Sequence, residues 1–168
     1  MRKRRSKSST GIIENFLRDI KSSGDILNIK TTDKSAFKLG KNIAATKGKV
    51  IFQNDLMQLI CYEPKEKVYK IPIFIIPPCI NKYYILDLSL HNSLVSFLVE
   101  NNFQVFLISW VNPDISLSEK GFEDYLKDGI LAPFEYVRNL GFKKIDFVGY
   151  CMGGTFLAII IAYFKAKK

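Results

Sequence analysis

The sequence predicts an α/β fold in which a parallel sheet carries helices on both of its faces. Three short segments are apolar at nearly every position, namely residues 71–76, 105–109 and 145–148. Strands of this composition are buried on both faces. Helical patterns lie between these segments, and alternation of strand and helix favours parallel strands joined by right-handed crossovers. With 48% hydrophobic residues among 168, the chain can form the core of one domain.

The first part of the chain differs from this pattern. Residues 1–10 are basic and polar, which predicts a solvated, disordered tail. Residues 11–48 form a helical segment that begins with an amphipathic helix and continues as polar, lysine-rich loop. The apolar face of that helix consists of Ile12, Ile13, Phe16, Leu17 and Ile20, and the sequence Ser22-Ser23-Gly24 ends it.

Residues 49–168 form the α/β region, which opens with a predicted β-hairpin. Its strands, residues 50–52 and 56–62, flank the turn sequence Gln53-Asn54-Asp55. The first parallel strand, residues 71–76, then ends at Pro77-Pro78. The helix that follows has an apolar face formed by Leu90, Leu94, Phe97 and Leu98.

A second helix is predicted between the second and third parallel strands. We expect Pro133 to kink this helix, Gly129 to weaken it and Gly141 to cap its end. Its apolar face consists of Phe122, Tyr125, Leu126, Ile130, Phe134 and Val137. The third parallel strand leads into a last, strongly apolar helix over residues 155–165.

The sequence Gly149-Tyr150-Cys151-Met152-Gly153 lies between the third strand and the last helix. This spacing is that of a nucleophile elbow, G-x-S-x-G, with cysteine in the serine position. The two glycines allow a tight turn and close packing of the helix. We therefore predict that Cys151 is a nucleophile and that the backbone N–H of Met152 stabilises an oxyanion. The alternative is a buried cysteine with a purely structural role.

Composition excludes several other classes of function. The net charge of +9 comes partly from the basic residues among the first seven, which a nucleic-acid binder would use, but a solvated tail is the preferred interpretation. No apolar stretch follows them, so they do not form a secretory signal. Cys61, Cys79 and Cys151 have neither metal-ligand nor disulfide spacing, which favours a reducing cytoplasm and no metal.

Several long motifs resemble the class I polyhydroxyalkanoate synthases, also called poly(3-hydroxybutyrate) polymerases. They are residues 77–88 (PPCINKYYILDL), 109–114 (SWVNPD) and 149–155 (GYCMGGT), in the order expected of the family. Residues 32–37 and the hairpin also resemble the family. The resemblance covers about residues 11–168. It implies the end of an N-terminal helical domain up to residue 48, followed by the first half of an α/β-hydrolase-like catalytic domain.

The resemblance also implies a function. Members of this family polymerise 3-hydroxyacyl-CoA into polyester and release CoA, using a Cys-His-Asp triad and no cofactor. They dimerise and coat polyester granules. By resemblance, Cys79, Asn81 and Asp87 belong to the wall of the active site, although a core position for Cys79 and turn or capping roles for Asn81 and Asp87 remain alternatives.

The sequence does not place a base where this fold needs one. The base should follow the nucleophile, but His91, the only histidine, precedes Cys151, and residues 152–168 contain no Asp, Glu or His. We therefore expect an incomplete fold, truncated before the triad Asp and His and inactive alone. Beside residues 145–148 we expect an open sheet edge. Such a chain would aggregate, bind a surface, or pair with a complementing C-terminal fragment or a second copy.

Two other functions are weighed against a synthase. One is a non-catalytic protein that binds granules or membranes through its last helix and its basic ends. The other is a cysteine hydrolase of the dienelactone type, which the long motif at residues 81–88 and the missing histidine both disfavour.

Overall fold

The computed structural model describes residues 34–167, together with Gly11, Ile13, Glu14, Phe16, Leu17 and Lys21. The chain divides into two compact units, Met1–Phe37 and Lys38–Lys168. In the first unit, the six residues described before residue 34 are helical and exposed, and Lys34–Ala36 forms a short 3-10 turn. The predicted tail, the end of the first helix, and Ile12 and Ile20 lie outside the described residues.

The second unit contains a five-stranded sheet and a small two-stranded ribbon. In chain order the strands are β1 (Gly48–Gln53), β2 (Met57–Tyr62), β3 (Ile73–Ile76), β4 (Asp87–Ser89), β5 (Asn92–Ser93), β6 (Val105–Trp110) and β7 (Asp146–Gly149). The sheet has the order β1-β2-β6-β3-β7, and β4 pairs with β5 alone. The predicted hairpin and the three predicted apolar strands are all present, within about two residues of the expected bounds.

The sheet is mixed rather than parallel throughout. Strand β3 is parallel to both β6 and β7, as the sequence predicts. The hairpin, however, joins the same sheet, because β2 pairs antiparallel with β6 from Met57 opposite Trp110 onward. Asn54 shapes the hairpin turn, since its side-chain oxygen accepts from the backbone N–H groups of Leu56 and Met57 at 3.0 and 3.1 Å.

Helices cover both faces of the sheet, giving three layers. They are α1 (Leu94–Glu100), α2 (Phe122–Leu126), α3 (Ala132–Asn139) and α4 (Met152–Ala166). One face of the sheet packs against α1 through Val95, in a core with Ile75 and Leu107. The other face packs against the helices α2 to α4, whose buried contributions include Val137 and Phe156. Strands buried on both faces explain the nearly continuous apolar character of β3 and β6.

Helix α1 begins later than its apolar pattern predicts. Leu90 is 74% exposed and lies in the turn of the β4–β5 ribbon rather than in the helix. The helix starts after Ser93, whose hydroxyl accepts from the backbone N–H of Ser96 at 2.8 Å. This serine cap fixes the start of α1 four residues after Leu90.

The helix predicted over residues 122–137 contains a π turn, Lys127–Leu131, between α2 and α3. Pro133 is the second residue of α3, directly after this turn, which removes the clash that proline makes with an ordinary preceding α turn. Gly129, which we expected to weaken this helix, lies inside the π turn. A Cβ at this position would lie 2.5 Å from the Trp110 ring, so glycine is required for their contact. Gly141, at φ +103°, follows α3 as the predicted cap.

Candidate active site

The candidate site lies at the edge of the sheet where the parallel strands β3, β6 and β7 end. Three loops leave the sheet there, and each carries one of the motifs singled out in the sequence. In α/β sheets this carboxyl edge is the usual position of ligands and catalytic groups.

Tyr150 and Cys151 connect β7 to α4, and Cys151 is exposed. Its backbone has φ +55° and ψ −123°, a conformation that non-glycine residues rarely adopt and that costs about 1–3 kcal/mol. Hydrogen bonds on both sides hold this bend. Tyr150 N–H donates to the Ile76 carbonyl at 3.0 Å, and Gly154 N–H donates to the Cys151 carbonyl at 2.9 Å.

The two glycines of the motif let the bend and the helix pack closely. A Cβ on Gly153 would overlap the carbonyl oxygen of Ile76, so α4 lies directly against the end of β3. A Cβ on Gly149 would lie 2.6 Å from the Cα of Gly154, across the turn. Glycine, which has no Cβ, is therefore needed at both positions for steric reasons.

Met152, the predicted oxyanion donor, is the first residue of α4. The N–H of a first helical residue has no acceptor inside the helix, so it is available to a ligand. The thioether sulfur of Met152 lies 3.3 Å from the thiol sulfur of Cys79. This contact joins the loop after β3 to the start of α4.

Cys79 and Asn81 line a cavity of about 320 Å³ at this edge. Burial raises the pKa of the half-buried Cys79 thiol, which favours its neutral form. Neither Pro77 nor Pro78 has a backbone N–H, so the first N–H after β3 is that of Cys79. The remaining lining residues are Ile80, Lys82, Trp110, Val111, Asn112, Pro113 and Tyr125.

Asp87 is placed differently from the other two predicted wall residues. It is 1% exposed and is not among the residues that line this cavity. Its carboxylate accepts from the hydroxyl of Thr46 at 2.8 Å, the backbone N–H of Thr46 at 3.1 Å and the hydroxyl of Ser93 at 2.6 Å. These bonds favour the structural role, since Asp87 anchors the cap of α1 and the segment around Thr46.

The described residues do not bring a base to Cys151. His91 is exposed in the turn between β4 and β5, and Asp146 is exposed at the start of β7. Asp114 is also exposed. It accepts from the hydroxyl and the backbone N–H of Ser116, and these bonds lower the pKa of its carboxyl. Each of these three groups precedes Cys151 in the chain.

Trp110 is a site residue that the sequence analysis included in the motif at residues 109–114 but to which it gave no role of its own. It is 8% exposed, and its indole N–H donates to the carbonyl of Pro77 at 2.9 Å. Its sequence signals are this motif and its being a lone tryptophan at the end of an apolar strand.

Within the described part of the chain, no three His, Cys, Asp or Glu residues are grouped as metal ligands. None of the described helices combines the length and the hydropathy needed to span a bilayer.

Comparison with known proteins places these observations in a family. Residues 6–98 match the family described as the poly-beta-hydroxybutyrate polymerase (PhaC) N-terminus. A poly(3-hydroxyalkanoate) polymerase of Methylorubrum extorquens is 46% identical over 147 residues, which are 86% of this chain and 24% of that protein. The PhaC subunit of Cupriavidus necator is 43% identical, over 83% of this chain and 24% of its own length.

A more distant relative is the PhaC subunit of Haloferax mediterranei, 35% identical over 75% of this chain and 26% of its own length. The chain thus spans about a quarter of the length of the curated relatives it matches. Cys151 lies outside the 93 residues that the family model covers, so its assignment rests on the geometry of the elbow. Since the family model matches more than half of the sequence, the chain belongs to the poly-beta-hydroxybutyrate polymerase (PhaC) N-terminus family.

Proposed function

We propose that this chain supplies the nucleophile of a polyhydroxyalkanoate synthase, an acyltransferase. One observation carries the proposal: an exposed cysteine in a strained turn between a parallel strand and a helix N-terminus. This arrangement, with helices on both faces of the sheet, also supports an α/β-hydrolase-like fold. The substrate class, 3-hydroxyacyl-CoA, is proposed from the names of the relatives and from the thiol nucleophile.

The chemistry follows from the position of the sulfur. The Cys151 thiolate attacks the thioester carbonyl carbon, and a new carbon–sulfur bond forms. The bond to the CoA sulfur then breaks, and CoA leaves with the electron pair and takes up a proton. Exchange of one thioester for another keeps the acyl group activated, so the hydroxyl of a second acyl unit can attack it. Met152 N–H stabilises the oxyanion of each tetrahedral intermediate.

The base and its carboxylate partner are proposed to come from residues other than these 168. His91 is exposed, precedes the nucleophile and lies on a different turn. Strand β7 pairs with β3 and has no further neighbour among the described strands. Its free edge would accept a strand from a complementing polypeptide, which would bring the missing groups to the carboxyl edge of the sheet.

Acyl transfer to Cys151 tests this function directly. The purified chain is incubated with 3-hydroxybutyryl-CoA, released CoA is quantified, and the acylated peptide is located by mass spectrometry. We expect acylation on Cys151, no sustained turnover, and no acylation in Cys151→Ser. Cys61→Ser is the matched control and should behave as the unaltered chain does.

Acylation confined to other residues would contradict the role of Cys151 as nucleophile. Sustained CoA release that Cys151→Ser abolishes would contradict the proposal that the base lies elsewhere.

Association with a polyester granule surface is a second proposal, supported by the end of α4. Ile161 and Tyr163 are 57% and 40% exposed there, and the ammonium of Lys167 lies 4.6 Å from the centroid of the Tyr163 ring. Co-sedimentation with polyester granules should be retained in Cys151→Ser and reduced in Ile161→Asp. Equal co-sedimentation of Ile161→Asp and the unaltered chain would argue against this surface.

A further inference from the structure

Trp110 connects the loop after β3 to the rest of the candidate site. It is the last residue of β6, and its indole N–H points to the neighbouring strand's loop, where it donates to the Pro77 carbonyl at 2.9 Å. Both partners are shielded from solvent in this bond, so breaking it leaves a buried carbonyl without its donor. The bond therefore fixes the position of Pro77 relative to β6.

The indole ring is itself held by the helices. Gly129 in the π turn lies so close that a Cβ there would be 2.5 Å from the ring. The ring of Tyr125 on α2 and the ring of Phe156 on α4 lie at centroid distances of 5.5 and 6.1 Å. Phe156 lies on α4, the helix that begins at Met152. Trp110 therefore contacts both the loop after β3 and the helix that carries the proposed oxyanion donor.

The backbone between Pro77 and Cys79 has little conformational freedom, so fixing the position of Pro77 also restricts the position of Cys79. Proline fixes φ, so two consecutive prolines leave few rotations between the held carbonyl and the next residue. That residue is Cys79, which carries the first backbone N–H after β3. Its side chain contacts Met152 at 3.3 Å, so the two N–H groups belong to segments that touch.

We propose that Trp110 is a positioning residue, whose indole N–H holds the Pro77-Pro78-Cys79 loop so that the Cys79 backbone N–H acts as a second oxyanion donor. This inference rests on the proposed function of Cys151. It assigns to Trp110 an effect on acylation that packing alone would not produce.

Two reactions of the same sulfur separate positioning from packing. Acylation by p-nitrophenyl butyrate passes through an oxyanion: the thiolate attacks the ester carbonyl, the carbon–oxygen bond breaks, and p-nitrophenolate leaves. Alkylation by iodoacetamide is a direct displacement of iodide and forms no oxyanion. Both rates are measured on the Cys151 peptide by mass spectrometry, and their ratio reports oxyanion stabilisation without depending on exposure of the thiol.

Trp110→Phe keeps an aromatic ring but removes the indole N–H. We expect the ratio of acylation to alkylation to fall about tenfold or more, with the alkylation rate unchanged. Phe156→Leu is the matched control, because it removes a ring contact to Trp110 and leaves the N–H bond, and its ratio should stay unchanged. Since Trp110 is the only tryptophan, biosynthetic replacement by benzothienylalanine deletes the N–H with almost no change of shape. The same fall is expected there, which keeps the test open if Trp110→Phe does not fold.

An unchanged ratio in the benzothienylalanine protein would overturn the inference, and so would acylation and alkylation rates that fall together. Failure of the proposed function gives a different result: Cys151 of the unaltered chain would then show the same ratio as the cysteine of an unfolded peptide with the elbow sequence. If the ratio for Cys151 exceeds that reference but does not change when the indole N–H is removed, only the role of Trp110 is contradicted.

Discussion

At Gly153 the structure leaves no room for a side chain, which gives a first prediction. A Cβ would overlap the Ile76 carbonyl oxygen, and backbone cannot move aside as a flexible side chain can. We expect Gly153→Ala to lower the free energy of unfolding by about 1–3 kcal/mol, measured by urea denaturation. Gly154→Ala is the matched control in the same helix turn. Its Cβ would lie 3.3 Å from the Gly149 carbonyl, and the gain in helix propensity offsets this tight contact.

Equal stability of Gly153→Ala and Gly154→Ala would show that α4 does not lie against β3 as described. If Gly153→Ala lowers the free energy of unfolding but leaves the rate of Cys151 acylation unchanged, the elbow tolerates a shift of the helix.

Tyr62 gives a second prediction at this scale. Its hydroxyl is buried, and no hydrogen-bond partner for it exists among the described residues. Removing an unsatisfied buried hydroxyl removes its desolvation cost, so Tyr62→Phe should raise the free energy of unfolding by about 1 kcal/mol at neutral pH. Thermal unfolding measures this change. Destabilisation by the substitution would mean that the hydroxyl has a partner.

The same hydroxyl predicts a dependence on pH. Burial, then the charge of Asp87 and the neighbouring Tyr83, raise the pKa of Tyr62 above its ordinary value of 10.0. The unfolded chain therefore releases this proton at lower pH than the folded chain does. The stability linked to Tyr62 is complete below pH 10.0 and is lost as pH rises above it. Urea denaturation across this range should show a shallower alkaline loss for Tyr62→Phe, and parallel curves would contradict the assignment.

Single residues were predictable from the sequence where the signal was local. Cys151 and its two glycines stand within five consecutive positions, so the elbow could be found from spacing alone. The partners of Asp87 could not be found in this way, because Thr46 lies 41 residues away and nothing local marks the pair. Trp110 and Gly129 are likewise distant in sequence, and their contact depends on how the helices pack.

Among the elements, the π turn at Lys127–Leu131 places Gly129 directly against the ring of Trp110. Gly129→Ala would normally stabilise a helix by about 1 kcal/mol. We expect it instead to lower the free energy of unfolding by about 1–3 kcal/mol, because the new Cβ overlaps the indole ring. The fluorescence of the only tryptophan should change with it.

A double-mutant cycle separates this steric effect from propensity. With the smaller ring of Trp110→Phe, Gly129→Ala should cost less than in the unaltered chain, which gives a coupling between the two positions. Additive effects on the free energy of unfolding would contradict the direct contact.

Elements with a long apolar pattern were predictable, and short ones were not. Strands β3 and β6 follow from runs of apolar residues buried on both faces. Strand β7 also follows from its apolar run, but burial on both faces was wrong for it: it is an edge strand whose residues are exposed or half-buried. The β4–β5 ribbon has strands of three and two residues, too short to show any periodicity. Asp87 accepts from the hydroxyl of Ser93 across this ribbon, and Ser93 also caps α1, so the predicted start of α1 at Leu90 was too early.

For the whole molecule, the parallel core was predictable but the strand order was not. Alternation of strand and helix fixes the parallel direction of β3, β6 and β7. The placement of β6 between β2 and β3 depends on pairing across the full width of the sheet, for which the sequence carries no local signal. The hairpin is consequently part of a mixed sheet.

The two edges of this sheet are unequal, which gives the last prediction. Strand β1 has a bulge between Val50 and Phe52, a feature that discourages edge-to-edge pairing. Strand β7 is regular along its pairing with β3, and Val148 on it is 36% exposed. We expect the purified chain to self-associate through β7, which sedimentation would show as a sedimentation coefficient that increases with concentration.

A lysine on this strand should oppose strand addition, so Val148→Lys should shift the chain towards monomer, whereas Val50→Lys on β1 should leave association unchanged. A monomer at all concentrations, or equal effects of the two lysines, would show that β7 is not an associating edge.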